Sequence, residues 1–226
     1  MSISPEVRFL DRTTPPHLLT LVIMASVSAM NMSIFLPSLP AMTKDLGTSY
    51  SVMQLSISLY LAVTALVQIF AGPLADKYGR RPVMLWAIVI FLAATFGCMM
   101  ATTIEVFLFF RMVQAAVAVA MVLSRAIIRD IVPASESAAM IGYVTMGMSL
   151  VPMFAPAVGG FLQDAVGWRA TFLFLIGFGA FLGVLCWFDQ GETNRSGGMS
   201  FRAQFAEYPE LFTSRRFWGY ALIEPA

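Results

Sequence analysis

Charge is scarce in this chain of 226 residues. Lysine, arginine, aspartate and glutamate make up 12% of it, about half the share that a soluble domain carries. Hydrophobic residues account for 58%, and the mean hydropathy is +0.77. A surface of this composition suits lipid rather than water. The formal net charge of +1 also lacks the excess of base that binds nucleic acid, so we expect no nucleic-acid partner.

Residues that carry chemistry are scarce as well. His17 is the only histidine. The only cysteines, Cys98 and Cys186, lie in apolar runs, and we interpret them as small buried hydrophobic residues. No CxxC or HExxH motif occurs, and none of the long apolar runs contains an acid. The paired carboxylates or metal clusters of a membrane enzyme are therefore missing from these runs. We expect no enzyme activity, no catalytic residue, no metal site and no cofactor.

Long uncharged runs dominate what is present. A helix needs about 20 apolar residues to cross roughly 30 Å of hydrocarbon, and six runs meet that need. Backbone exposed to lipid must satisfy its own hydrogen bonds, so each run is predicted to be a helix. The chain is thus predicted to be an all-α membrane protein in contact with the lipid bilayer. The runs are 18–43, 46–75, 82–104, 106–124, 137–163 and 170–188, and only the fourth contains a charge, Arg111.

The placement of lysine and arginine predicts the orientation of the spans. Positively charged residues concentrate in cytoplasmic segments, and a cytoplasmic N-terminus gives eleven of them inside and two outside. We therefore expect a multi-pass protein of the inner (plasma) membrane with its N-terminus in the cytoplasm. The outside pair is Lys44 and Arg169, and the inside set is Arg8, Arg12, Lys77, Arg80, Arg81, Arg125, Arg129, Arg195, Arg202, Arg215 and Arg216.

Four segments follow from this topology. Residues 1–17 are predicted to be a cytoplasmic N-terminus, and the absence of a small-residue cleavage site indicates a retained first span. Residues 18–188 are predicted to form a six-helix transmembrane bundle, and the polar stretch 189–216 a central cytoplasmic loop. Residues 217–226 begin another apolar run that is too short to span. We expect them to be the start of a truncated seventh helix.

The segment 72–82, G-P-L-A-D-K-Y-G-R-R-P, packs its charges between two apolar runs. We expect a tight turn at Gly72 and Gly79, with Asp76 and Arg80 paired and Arg81 beside them. The segment resembles the loop between helices two and three of the major facilitator superfamily, G-x-L-A-D-r-x-G-r-r. That resemblance implies a conformational latch, which the acid at the end of helix four, here Asp130, would join. The alternative is a charged turn that only obeys the positive-inside rule.

Arg111 is the one charge within an apolar run. A charge inside the bilayer is costly and usually faces a cavity or a partner, although snorkelling to the nearer surface is an alternative. Together with Gln114 it resembles the R-x-x-Q motif of helix four in the same superfamily, which implies a role in proton coupling. Ala115 and Val117 replace the glycines that usually follow.

The fifth run holds two prolines and a glycine pair, Pro152, Pro156, Gly159 and Gly160. They predict a bent helix with close packing, and packing alone is one interpretation. The pattern also resembles the G-P-x-x-G-G motif of helix five in the drug:proton antiporter branch, with Ala155 in place of the first glycine.

The end of the first run, N-M-S-I-F-L-P-S-L-P, resembles the D-M-Y-L-P-x-L-P segment of the Bcr/CflA group of drug exporters. The acid of that segment falls on Ser33, which cannot carry a proton. A titrating group would then lie elsewhere, for example at Glu224 or in the C-terminal half that the resemblance implies. Polar residues that could line a substrate cavity are Asn31, Ser33, Gln54 and Ser58.

The resemblance extends over nearly the whole chain. It implies the N-terminal six-helix bundle of a twelve-helix secondary transporter, with spans one to three and four to six as 3+3 inverted repeats. It further implies efflux of small amphipathic compounds (drugs) by alternating access, driven by the proton gradient, in a monomer completed by a C-terminal six-helix half. A transporter of one specific metabolite and a non-transporting membrane scaffold are the alternatives.

Overall fold

The computed structural model describes residues 8–194, and the regular structure of that part is helical. Six helical stretches in it are long and apolar enough to cross a membrane, which confirms the predicted six-span, all-α class. The predicted seventh helix, and all of the central loop after residue 194, lie outside the described residues. The spans, numbered one to six, are Leu18–Asp45, Tyr50–Tyr78, Arg80–Met100, Ile104–Ile131, Ala134–Ala165 and Arg169–Asp189.

The first span is not one continuous helix. It consists of α1 (Leu18–Ser33), a 3₁₀ turn (Leu36–Ser38) and α2 (Leu39–Asp45). Pro37 is the second residue of the 3₁₀ turn and Pro40 the second residue of α2, where a missing N–H costs little. The interruption leaves carbonyl groups at the end of α1 available for other partners.

The fourth and fifth spans are interrupted as well, while α3 (Tyr50–Tyr78), α4 (Arg80–Met100) and α9 (Arg169–Asp189) are continuous. Span four consists of α5 (Ile104–Val113), a 3₁₀ turn (Gln114–Val117) and α6 (Ala118–Ile131). Span five consists of α7 (Ala134–Ser149) and α8 (Val151–Ala165). The break in span four places irregular backbone inside the bundle, where side chains of other spans can satisfy it, whereas Leu150 at the break in span five is exposed.

The first span lies at the centre of the bundle. Of its most hydrophobic window, 61% is buried, against 17% for span two and 11% for span five. Spans two and five therefore present most of their surface to the surroundings of the bundle. The sixth span packs on the third through small residues, since a Cβ on Gly179 would meet Phe91 at 2.8 Å and one on Gly183 would meet Ile88 at 3.3 Å.

Polar contacts fix the end of the bundle that carries Asp45, called here the Asp45 end. The Asp45 carboxylate accepts hydrogen bonds from Trp168 Nε1 at 3.0 Å and from Arg169 Nη1 at 2.7 Å. Arg169 Nε also donates to the carbonyl of Met99 at 3.2 Å. The ends of spans one, three and six are thereby joined. The opposite end, which carries Gly79 and Arg80, is called the Arg80 end.

Candidate functional site

A buried guanidinium joins the first and fourth spans. The side chain of Arg111 is among the fully buried ones, with the residue 1% exposed. Its Nη1 donates to Asn31 Oδ1 at 3.0 Å and to Gln114 Oε1 at 2.6 Å, and its Nη2 donates to the Asn31 carbonyl at 2.9 Å. That carbonyl lies in the last turn of α1, where helix carbonyls lack an intrahelical donor. The break in span one thus supplies an acceptor for the charge.

Two aromatic rings lie against Arg111, and the side chain of Thr95 contacts its neighbour Gln114. Its guanidinium carbon lies 4.1 Å from the Phe35 ring centroid and 4.4 Å from that of Tyr60, and such contacts stabilise a cation. Gln114 Nε2 donates to Thr95 Oγ1 at 2.8 Å. The site therefore draws on spans one, two, three and four.

No carboxylate among residues 8–194 forms an ion pair with Arg111. The snorkelling alternative is wrong, because the guanidinium points to Asn31 in the interior rather than to a surface. Arg111 Nε and Asn31 Nδ2 are buried without a hydrogen-bond partner in the described chain. An unmade hydrogen bond of this kind costs about 1–3 kcal/mol, so the site has two donors to offer.

The other residues predicted to line a cavity, Ser33, Gln54 and Ser58, are not among the described hydrogen-bond partners of Arg111. Ser33 is buried, but its Oγ donates to the carbonyl of Ala29 in its own helix at 2.9 Å. Gln54 and Ser58 lie on the exposed part of α3. Phe35, Tyr60 and Thr95 were absent from the predicted site residues.

The predicted loop 72–82 is wrong as a loop. Helix α3 continues to Tyr78 and α4 begins at Arg80, so Gly79 alone separates them. Its φ of 98° and ψ of 152° belong to a region that only glycine adopts readily. Gly72 lies inside α3, and a Cβ there would have no atom within 4 Å. The turn therefore requires glycine at Gly79 and not at Gly72.

The charged side chains around Gly79 join two helix ends. Arg80 Nη1 lies 2.6 Å from Asp76 Oδ1, and Arg80 Nε lies 3.1 Å from Asp130 Oδ2. Arg80 therefore joins the ends of α3 and α6. Arg81 takes a different direction: its Nη2 donates to the Trp187 carbonyl at 3.0 Å, and its guanidinium carbon lies 5.2 Å from a ring centroid of Trp187.

A partner that the sequence reasoning missed is Glu192, which follows span six. Its carboxylate accepts hydrogen bonds from the backbone N–H groups of Arg80 at 2.9 Å and Arg81 at 3.2 Å, where the helix dipole favours an anion. A Cβ on Gly79 would overlap the Glu192 carboxylate. Asn194 adds a bond from its Nδ2 to the Asp76 carbonyl at 2.7 Å. The segment after span six is thus part of the same network.

Asp189 is a second missed residue. It is the first residue of the predicted central cytoplasmic loop, but in the structure it is the last residue of α9 and is fully buried. Its carboxylate accepts hydrogen bonds from Leu10 N at 2.6 Å, His17 N at 2.9 Å and Thr20 Oγ1 at 2.5 Å. One carboxylate therefore attaches the N-terminal segment and the start of α1 to the end of α9.

The helix-five residues lie against the break in span one. A Cβ on Gly159 would overlap the carbonyl oxygen of Ile34, whereas one on Gly160 would find only Pro37 Cβ, at 3.8 Å. Pro152 stands in the first turn of α8 and Pro156 lies inside it. The close packing predicted for this pattern therefore depends on Gly159.

Most of the chain is similar to known proteins. The sequence profile of the Major Facilitator Superfamily matches residues 21–223. A chloramphenicol resistance protein of Pseudomonas aeruginosa is 36% identical over 66% of this chain and 36% of its own length. Multidrug resistance protein D of Escherichia coli (strain K12) is 31% identical over 70% of this chain and 41% of its own length.

A solved structure, that of a D-xylose-proton symporter, matches in fold. Its TM-score is 0.70 at 14% identity, and the match covers 88% of this chain and 53% of the symporter. The chain thus spans about half, or less, of the proteins that it matches.

Proposed function

The chain belongs to the Major Facilitator Superfamily, and on that basis we propose that it forms the N-terminal six-helix half of a twelve-helix secondary transporter. The proposed transporter is a monomer in the inner membrane, with the Arg80 end of the bundle in the cytoplasm. A C-terminal six-helix half completes the substrate cavity. The distribution of lysine and arginine supports this orientation.

The proposed activity is efflux of small amphipathic compounds in exchange for protons. The relatives named for chloramphenicol and multidrug resistance support the substrate class. The resemblance of the helix-five residues and of the end of span one favours the drug:proton antiporter branch and its Bcr/CflA group.

The observation that carries this proposal is the buried Arg111 network. The Arg111 guanidinium is held by Asn31 and Gln114. Arg111 Nε and Asn31 Nδ2 remain available as hydrogen-bond donors. We propose that they interact with a nearby group that gains and loses a proton. The described spans hold acids only near their ends, so the second half is proposed to supply the carboxyl group. Approach of that group to Arg111 favours its ionised form, and withdrawal favours proton uptake.

The Arg80 network is proposed as the latch of the conformational cycle. Asp76, Arg80 and Asp130 hold the ends of spans two, three and four together, so this end of the bundle would move as one body. Alternating access then consists of rocking one such body against its counterpart.

Drug resistance in a strain that lacks its own exporters tests this proposal, with chloramphenicol as the first probe. We expect the complete protein to confer resistance and Asp76→Asn to abolish it at unchanged expression, because Arg80 loses one of its two carboxylates. Asp164→Asn, which changes an exposed acid near the end of α8, is the matched control. Full resistance with Asp76→Asn would rule out the latch.

One observation keeps a second candidate, a transporter of one specific metabolite. Ser33 replaces the acid of the exporter segment, and its Oγ donates to the Ala29 carbonyl of its own helix. Resistance to a single compound, or to none, with saturable transport of one metabolite would favour this candidate. No transport at all by the complete protein would favour a scaffold.

A further inference from the structure

Tyr60 differs from the other two tyrosines of α3 in being buried. Tyr50 and Tyr78 are exposed by 49% and 59%, whereas Tyr60 is exposed by 3%. Span two as a whole is little buried, with 17% of its most hydrophobic window inside the bundle. Ser56 and Met53, one and two turns before Tyr60, are buried as well. These three residues lie on one face of the helix, and this narrow face holds the first part of α3 against the bundle.

The Tyr60 ring contacts the face of the Arg111 guanidinium, which the hydrogen bonds leave open. The bonds to Asn31 and Gln114 meet the edge of the guanidinium and come from spans one and four. The rings of Phe35 and Tyr60 lie 4.1 Å and 4.4 Å from the guanidinium carbon. Among the described polar and ring contacts of this group, the one from span two is therefore Tyr60.

A ring face stabilises a cation most strongly where both are removed from water. Arg111 meets this condition, since it is 1% exposed and no carboxylate among residues 8–194 pairs with it. The ring also limits tilting of the guanidinium out of its plane. Such a tilt would lengthen the bonds from Nη1 to Asn31 and Gln114, which are 3.0 Å and 2.6 Å long.

We propose that Tyr60 is a positioning residue for Arg111. Its ring keeps the guanidinium in the plane from which it bonds Asn31 and Gln114, and it attaches this charge to span two. The consequence for coupling rests on the proposed function, in which the second half packs along span two. Displacement of span two would then move the ring against the guanidinium and change the position of the charge. In this role Tyr60 touches no substrate and takes up no proton.

Nuclear magnetic resonance of the complete protein in detergent tests the positioning without any transport. Arginine is isotopically labelled, and the Arg111 signals are those that disappear in Arg111→Lys. A guanidinium that is held gives separate signals for Nη1 and Nη2, whereas a rotating one gives averaged signals. We expect separate signals in the unaltered protein and in Tyr60→Phe, which keeps the ring. We expect averaged signals in Tyr60→Leu and in Tyr60→Met, whose flexible side chain fills the space without an aromatic face.

Efflux of labelled chloramphenicol from proteoliposomes under an inward proton gradient tests the consequence. Tyr60→Leu is expected to lower the maximal rate about ten-fold or more and to leave the KM for the drug unchanged, because the ring does not meet the drug. Tyr60→Phe is expected to restore the rate. Tyr50→Leu makes the same substitution at an exposed ring of the same helix and is expected to change neither quantity.

Separate Nη1 and Nη2 signals in both Tyr60→Leu and Tyr60→Met would overturn the positioning role. An equal loss of rate in Tyr60→Phe or in Tyr50→Leu would also overturn it, since the loss would not follow the ring at Tyr60. A raised KM at an unchanged maximal rate would overturn it too, because the ring would then meet the drug. If the unaltered protein moves drug without regard to the gradient, the proposed coupling fails, and the spectra still decide whether Tyr60 holds Arg111.

Discussion

Asp189 determines how the N-terminal segment meets the membrane bundle. Its buried carboxylate accepts three hydrogen bonds, two from the backbone of residues before α1 and one from Thr20 inside it. The negative charge also lies at the N-terminus of α1, where the helix dipole stabilises it.

We predict that Asp189→Asn loosens the N-terminal segment. Hydrogen bonds to a charged group contribute roughly 1.5–3 kcal/mol, and the amide keeps the shape but loses the charge. The expected result is trypsin cleavage after the exposed Arg12 at a rate about ten-fold higher or more, which corresponds to 1.4 kcal/mol. Asp164→Asn serves as the control. An unchanged cleavage rate in Asp189→Asn would mean that the carboxylate does not hold this segment.

A single residue could be predicted as functional where the sequence shows that burying it costs free energy. Arg111 stands out because a charge in an apolar run costs several kcal/mol unless it has partners, and Gln114 lies three residues on, on the same helix face. Tyr60, Thr95 and Asp189 were not predictable, because helical periodicity shows which face is buried but not which spans touch. The other partners of Arg111 come from spans one and two, and Thr95 of span three bonds Gln114, so only the packed bundle brings them together.

At the scale of elements, the apolar runs predicted the six spans but not all of their interruptions. Pro37, Pro40 and Pro152 mark two of the breaks. The 3₁₀ turn at Gln114–Val117 contains neither proline nor glycine, so no local residue signals it. One of its carbonyls is bonded from outside, since Ser28 Oγ of span one donates to the Val117 carbonyl at 2.8 Å. A neighbouring span thus helps to stabilise the interruption.

The contact between α8 and the break in span one makes a sharp prediction. In Gly159→Ala the new Cβ would overlap the backbone carbonyl of Ile34, and a backbone group cannot move aside as a side chain can. We expect a loss of stability of about 1–3 kcal/mol, measured as a lower unfolding temperature in detergent.

The same helical span supplies a matched control for that change. Gly142 lies in α7, and a Cβ there would have no atom within 4 Å. Gly142→Ala is therefore expected to keep or raise the unfolding temperature, since alanine favours a helix by up to about 1 kcal/mol over glycine. Equal unfolding temperatures for the two variants would show that the Ile34 contact is not tight.

At the scale of the whole molecule, the bundle has one well-packed interior and two largely exposed spans. Spans two and five bury the least of their surface, and both belong to a chain that covers about half of its relatives. The proposed second half would pack along these spans and close a cavity near Arg111. The Arg80 network would then lie where the two halves meet on one side of the membrane.

The most direct test of this account is proton-coupled efflux by the complete protein in proteoliposomes. The vesicles hold an internal pH dye and labelled chloramphenicol, and an inward proton gradient is imposed. The account predicts drug loss driven by the gradient together with internal acidification, and loss of both in Arg111→Lys, because an ammonium cannot replace the forked guanidinium contacts to Asn31 and Gln114. Drug movement in Arg111→Lys that follows the proton gradient as in the unaltered protein would contradict it.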